Sequence, residues 1–290
     1  MRYRVRHTTT YRYARPVDLA SHLLHLAPRP LSHQHVLSSR LIAAPVPARV
    51  TEGTDAFGNG VAWLFLEAEH ERFEVTLDAE VEVFAPPLPS PQTTPAWEDV
   101  AALAARPGGE GWEASQFLHP SAMIPATPEA GAYVAPSFPP GRPILAALVD
   151  LLARFRADFT FRAGATTVAT PLATVLTQRA GVCQDFTHVI IAGLRAIGVP
   201  ARYVSGYIRT RPPPGGTRRL GSDQSHAWVG VWCGPAHGWI DIDPTNNLLV
   251  ADEHVVLAWG RDYRDISPVR GVILGGGRHT LEVGVDLEPA

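Results

Sequence analysis

Cys183, His226 and Asp243 have the types and spacing that nucleophilic catalysis needs. Cys183 stands in Gly181-Val-Cys-Gln-Asp-Phe-Thr-His188, directly ahead of an apolar stripe at helical spacing. Phe186, Ile190, Leu194 and Ile197 form that stripe, and Gly198 and Pro200 end it. The cysteine therefore opens a buried helix, where the dipole favours the thiolate, the reactive form of the side chain. Core packing is an equally good reading of a cysteine taken alone. Residues 226–233 (HAWVGVWC) and 238–243 (GWIDID) supply the rest, as two strands joined by Gly234-Pro-Ala-His237. His226, Trp228, Gly230 and Trp232 share one face, and Ala227, Val229, Val231 and Cys233 share the other. Trp239, Asp241 and Asp243 share a face of the second strand, so alternation cannot choose between the two aspartates. Register can. A four-residue loop sets position 228 across from 243, which makes His226 and Asp243 diagonal neighbours, while Asp241 falls opposite Gly230. The set then holds a nucleophile, a base and a carboxylate to orient the base.

The elements that must position these residues follow from patterning. Residues 1–13 alternate Arg2, Arg4, Arg6 with Tyr3, Val5, His7, and 72–84 alternate Phe73, Val75, Leu77, Val81, Val83 with Glu74, Thr76, Asp78, Glu80, Glu82. The first is a period-two β pattern, and the second reads as a half-buried antiparallel strand. Asp55-Ala-Phe-Gly-Asn-Gly60 turns the chain into a strand at 61–66. Residues 84–95 contain five prolines and no strand pattern, which predicts a flexible linker between two separately cored units. Short helices are expected near 96–106 and 110–118, and a clear one at 143–157, where Ile144, Leu145, Leu148, Leu151, Leu152 and Phe155 recur at three- and four-residue spacing. Thr170-Pro171 reads as the cap and first position of another helix, which Gly181 ends. A strand at 201–208, a long Pro/Gly loop at 211–222 near any site, and a closing strand at 279–287 complete the pattern.

Composition narrows the function classes. The chain has 290 residues, 46% of them hydrophobic, with a formal net charge of −3. That balance gives no field drawing nucleic acid or an anionic membrane. All 25 basic residues are arginine, which with abundant Ala, Pro and Gly points to codon bias rather than to a ligand. The first residues carry no apolar signal core, and no apolar stretch approaches the roughly 18 residues that span a bilayer. With two cysteines and no CxxC, a reduced, cytoplasmic setting is expected. His22/His25 and His33/His35 lack a nearby Cys or carboxylate at ligand spacing, so no metal and no cofactor is expected. Arg2, Arg4 and Arg6 read as a solvated strand face, Asp185 as a helix cap, and Cys233 as inert.

Four phrases carry a resemblance to a known family: Gly-Val-Cys-Gln-Asp (181–185), Ala-Arg-Tyr-Val-Ser-Gly-Tyr (201–207), His-Ala-Trp-Val (226–229) and Gly-Trp-Ile-Asp-Ile-Asp-Pro-Thr-Asn (238–246). With the order Cys183, His226, Asp243 they resemble the transglutaminase-like branch of the papain-like superfamily. Residues 1–84, with His7-Thr-Thr-Thr-Tyr-Arg-Tyr and Asp55-Ala-Phe-Gly-Asn, look like the β-rich N-terminal domain of bacterial members, and 260–271 look familiar too. The resemblance implies an α+β fold: a Cys-bearing helix packed on an antiparallel sheet, after an all-β, sandwich-like domain. The expected division is 1–84, a linker with short helices at 85–142, and a catalytic domain with its closing strand at 143–290. It implies attack of Cys183 on a peptide or protein carboxamide, a thioester, then hydrolysis or transamidation. His226 would be the base and Asp243 the third member. The Cys183 N–H is the expected oxyanion donor, with Gln178 or a tryptophan as candidates for a second. The Arg-Gly-Gly-x-Cys signature of arylamine acetyltransferases is missing. The alternative reading is a catalytically silent binding protein on the same fold. Oligomeric state is not legible.

Overall fold

The computed structural model describes residues 1–209 and 224–290, so the Pro/Gly loop expected at 211–222 lies outside the described residues. The chain begins with β1 (Arg2–Leu24), β2 (Gln34–Ala44), β3 (Arg49–Thr54), β4 (Gly60–Leu66) and β5 (His70–Val83). Helices α1 (Trp97–Ala105), α2 (Trp112–Ser115), α3 (Pro128–Val134) and α4 (Ile144–Asp158) follow. Next come β6 (Thr160–Phe161), α5 (Leu172–Gln178), β7 (Ala180–Gly181) and α6 (Cys183–Ala196). The rest is strand: β8 (Ala201–Ile208), β9 (Gln224–Trp232), β10 (Trp239–Asp243), β11 (Leu248–Leu249), β12 (His254–Gly260), β13 (Val269–Gly275) and β14 (His279–Pro289). No helix of the described chain is long and apolar enough to cross a membrane.

The apolar face of β5 is buried as its alternation predicts, at Phe73, Val75, Leu77, Val81 and Val83, and Thr76 on the other face is buried as well. β5 and β1 lie at the heart of a seven-stranded sheet ordered β2-β5-β1-β4-β3, to which β13 and β14 add by pairing with β1. The first half of β1 pairs with β5 and β14, and its second half with β4 and β13. Val17, Ala20 and Leu24 of β1, Leu64 and Leu66 of β4, and Phe73 and Val75 of β5 close on a common core.

A second, five-stranded sheet runs β11-β10-β9-β8-β12. One face carries α6: Phe186, Val189 and Ile190 share a core with Tyr203, Ala227, Val229 and Val231. Each such large side chain, fully buried, contributes about 1.5–3 kcal/mol. On the opposite face Val204, Trp228, Val250 and Val256 pack beneath Leu31 and Trp259. The N-terminal region thus covers the back of this sheet, and it does so with specific bonds. His7 Nδ1 lies 2.7 Å from the Tyr207 hydroxyl. Gln34 brackets Val256, its Nε2 donating to the carbonyl and its Oε1 accepting the N–H, both at 2.8 Å. The 55–60 turn is built by Asp55 Oδ1, which accepts the N–H groups of Phe57 and Asn59, with Gly58 at φ +73°. Asn59 then donates to the Trp259 carbonyl and accepts from its N–H.

These contacts correct three expectations. The closing strand does not stay within the 143–290 unit, because β13 and β14 pair with β1 of the N-terminal sheet. The two regions are not separately cored: Tyr3, Val5, Val81 and Val285 belong to the same cluster as α4, α6 and β8–β10. Nor does the whole proline-rich segment hang free. Its end packs on α4, where the Pro95 carbonyl accepts from Ile144 and Thr94 Oγ1 from Leu145. The sequence pattern reports burial but not its partner, so one chain with two patterned regions looked like two bodies. A smaller correction concerns α5. Pro171 is its cap, not its first residue, and Arg179 at φ +49° ends it ahead of Gly181.

Candidate active site

Cys183 is the first residue of α6 and is half-buried. The turn that delivers it depends on Asp185, whose Oδ2 accepts the Val182 N–H at 2.8 Å and the Thr166 hydroxyl at 2.6 Å. That carboxylate sits against Gly181, where a β-carbon would stand 2.6 Å from Oδ2. Asp185 therefore caps the helix, as its place in the first turn suggested. The Cys183 thiol is also one of the hydrogen-bonding partners of His226.

The β9–β10 hairpin has the register expected of a four-residue loop: Trp239 pairs with Trp232, Asp241 with Gly230, and Ile242 with Val229. Continued by one pair, it sets Asp243 across from Trp228 and diagonal to His226. The result is a 2.8 Å bond between His226 Nε2 and Asp243 Oδ2, both residues buried. Trp228 also lies over Gly206, the partner of His226 on β8, where a β-carbon would stand 2.6 Å from the indole.

Asp243 is fully buried and accepts five hydrogen bonds. Oδ1 takes the N–H groups of Thr245 and Asn246 at 2.9 and 3.1 Å. Oδ2 takes His226 Nε2, Asn246 Nδ2 at 2.7 Å and His254 Nε2 at 3.1 Å. Burial alone would raise its pKa, but the bonds from His226 and His254 and the charge of His226 hold it well below the usual carboxylate range. An ionised carboxylate only accepts, so both imidazoles carry their proton on Nε2. His226 Nδ1 is left for the Cys183 side. Burial pushes His226 down, yet its bonds to Asp243 and Cys183 and the Asp243 charge outweigh this and raise its pKa to about 10.

Among the described residues one group of potential metal ligands converges, His226, Asp243 and His254, within 4.8 Å. Two of its separations are also those of hydrogen bonds, 2.8 Å from His226 and 3.1 Å from His254 to Asp243 Oδ2. The earlier histidine pairs go elsewhere: His22 stacks on Phe73 at 4.1 Å, and His25 faces Asp55. Cys233 is buried on the aliphatic face, its thiol pushed up by that burial. Of the oxyanion candidates, Gln178 ends α5 exposed, and the Trp228 N–H is committed to Asp241 Oδ2 at 2.9 Å. Sequence reasoning missed His254 and the side chain of Asn246. Asn246 stood inside a quoted phrase, whereas His254 reaches the site only through the pairing of β12 with β8, a link no local pattern announces.

A cysteine-led helix laid on an antiparallel sheet, behind a β-rich region, defines a transglutaminase-like core of the papain-like kind. Residues 3–82 match the bacterial transglutaminase-like N-terminal region, and residues 139–244 match the transglutaminase-like superfamily. Protein Rv2569c of Mycobacterium tuberculosis is 40% identical over 295 residues, covering 99% of this chain and 93% of that one. The chain belongs to this bacterial transglutaminase-like family. A candidate cysteine protease from Cytophaga hutchinsonii has the same fold, with a TM-score of 0.74 at 22% identity, covering 100% of this chain and 91% of that one. A protein-glutamine gamma-glutamyltransferase of Pseudomonas aeruginosa is 40% identical over 68 residues, 23% of this chain and 10% of that protein.

Proposed function

We propose that Cys183, His226 and Asp243 are nucleophile, base and orienting carboxylate in cysteine-dependent acyl transfer from an amide of a peptide or protein. The observation that carries this reading is the buried 2.8 Å bond from His226 Nε2 to Asp243, which fixes the tautomer and leaves Nδ1 to the cysteine at the helix start. The local likeness to a protein-glutamine gamma-glutamyltransferase favours a glutamine-like carboxamide.

The reaction begins from a thiolate and an imidazolium. The Cys183 sulfur bonds to the amide carbon, and the carbonyl electron pair moves to oxygen. Donors at the start of α6, the Cys183 N–H among them, stabilise that oxyanion. His226 gives its Nδ1 proton to the amide nitrogen, the C–N bond breaks, and ammonia or an amine leaves a thioester behind. Water or an acceptor amine then attacks, its proton passes to His226, and the thiolate departs. Water yields hydrolysis, and an amine yields transamidation.

Brief treatment with iodoacetamide near neutral pH, followed by peptide mapping, tests the nucleophile. Cys183 labels and the buried Cys233 does not. Equal labelling of the two would overturn the assignment. A screen of peptide amides, reading ammonia with and without added amine, then compares the wild type with Cys183→Ala. Equal release from both would remove the acyl-transfer reading, and selective labelling without any turnover would make the chain a binding protein on this fold.

A further inference from the structure

We infer that His254 is a positioning residue for this reaction, one that shares the Asp243 carboxylate with His226 and so sets how firmly the base is held. The inference rests on the triad reading above. His254 opens β12, is 3% exposed, and lies beyond residues 139–244, the span that matches the superfamily. Its Nε2 meets Asp243 Oδ2 at 3.1 Å, the same oxygen that accepts His226 Nε2 at 2.8 Å. Asn246 Nδ2 is a third donor to that oxygen at 2.7 Å, and each added N–H group weakens the hold on the others, because every donor drains charge the next would use. A base held less tightly gives its proton more readily to a leaving amine.

The surroundings fit that role. Trp228 stands against both rings, with centroids 6.1 Å from His226 and 5.1 Å from His254, and the two imidazoles stay 6.0 Å apart. His254 Nδ1 is buried without a partner, an arrangement an apolar residue would avoid. The polar contact that remains to the ring is the one to Asp243. The strand that carries His254 is held by the N-terminal region, through Gln34 on Val256 and Asn59 on Trp259. Among the described residues, the titratable groups facing His226 are Asp243 from β10, His254 from β12 and Cys183 from α6.

The test compares His254→Gln, which keeps an N–H donor, with His254→Phe, which keeps a ring and loses the donor. The His226 imidazole is titrated by nitrogen-15 NMR, and turnover is measured on whichever peptide amide the wild type cleaves. In His254→Phe the His226 midpoint rises by roughly one unit and kcat falls about tenfold with KM little changed, while His254→Gln stays near wild type. If the phenylalanine variant fails to fold, His254→Asn, too short to reach Asp243, supplies the same loss. An unmoved midpoint without the donor, or glutamine and phenylalanine variants that behave alike, would overturn the inference and leave His254 a packing residue. The titration needs no turnover. A wild type whose Cys183 does not label and that cleaves nothing would sink the triad reading, while the NMR comparison still decides the role of His254.

Discussion

Asp241 and Asp243 sit two residues apart on one face of β10, yet they belong to different regions of the molecule. Around Asp241 the hairpin is structural. Its Oδ2 accepts the Trp228 indole N–H, and its Oδ1 lies 3.9 Å from Arg202, whose guanidinium covers Trp239 at 4.3 Å and Trp259 at 3.7 Å. Around Asp243 the same hairpin face becomes chemical, with two imidazoles and an amide turned onto one buried carboxylate. Residue type, strand and face are shared, so none of these distinguishes the two aspartates. The partner brought from elsewhere does: a planar arginine buried among tryptophans in one case, an imidazole next to a helix-borne thiol in the other.

The largest expected effect comes from breaking the Asp243 side. In Asp243→Asn the new amide hydrogens must point at donors, whether His226, His254 and Asn246 on one side or the backbone N–H groups of Thr245 and Asn246 on the other. His226 is then free to take the wrong tautomer, with its proton facing Cys183. Turnover is expected to fall roughly 10²–10⁴-fold, and stability by about 1–3 kcal/mol. Paired activity assays and thermal melts check this, and a variant that melts lower but turns over normally would separate Asp243 from the chemistry.

Next in size is a pH effect confined to the same side. His226 is raised from an ordinary 6.5 to about 10, so its stabilisation is complete below pH 6.5 and is lost as pH climbs through about 10. Asp243 is depressed, so its stabilisation is present above the ordinary carboxylate pKa and is lost as acid drives through its lower folded value. The difference in urea midpoint between wild type and His226→Gln should therefore shrink steadily from pH 6.5 toward pH 10. A difference that stayed constant over that window would mean the imidazole is not held as a cation.

Much of this region was legible in the sequence because its determinants are local. Hairpin register follows from a four-residue loop, the position of Cys183 from an apolar stripe and its stop signals, and the cap role of Asp185 from its place three residues beyond Val182. What was not legible is long-range. β14 pairs with β1 across nearly the whole chain, and β12 reaches β8 from beyond the hairpin. Alternation tells that a face is buried, and both a second domain and a neighbouring sheet satisfy it. His254 was hidden for the same reason, as was the engagement of the Trp228 N–H with Asp241, which removes that tryptophan from the oxyanion candidates.

The smallest expected effect is the one that sharpens the contrast. Asp241→Asn keeps an oxygen able to accept the Trp228 indole N–H, so that bond survives with a neutral acceptor. What is lost is the charge 3.9 Å from Arg202, a pair that is too long for a hydrogen bond but shielded from water. Arg202 is stranded to the extent that its tryptophan neighbours cannot replace the carboxylate, and both indole faces remain in place. The cost to stability is about 1–2 kcal/mol, between an exposed pair and a broken buried one. Trp228 stays seated over Gly206, so the His226–Asp243 bond keeps its geometry and turnover should change less than about threefold. Melting temperature and turnover are measured together on one preparation. Turnover lost in proportion to Asp243→Asn would mean that Trp228 transmits Asp241 to the site, and the two halves of the hairpin would then have to be treated as one catalytic unit.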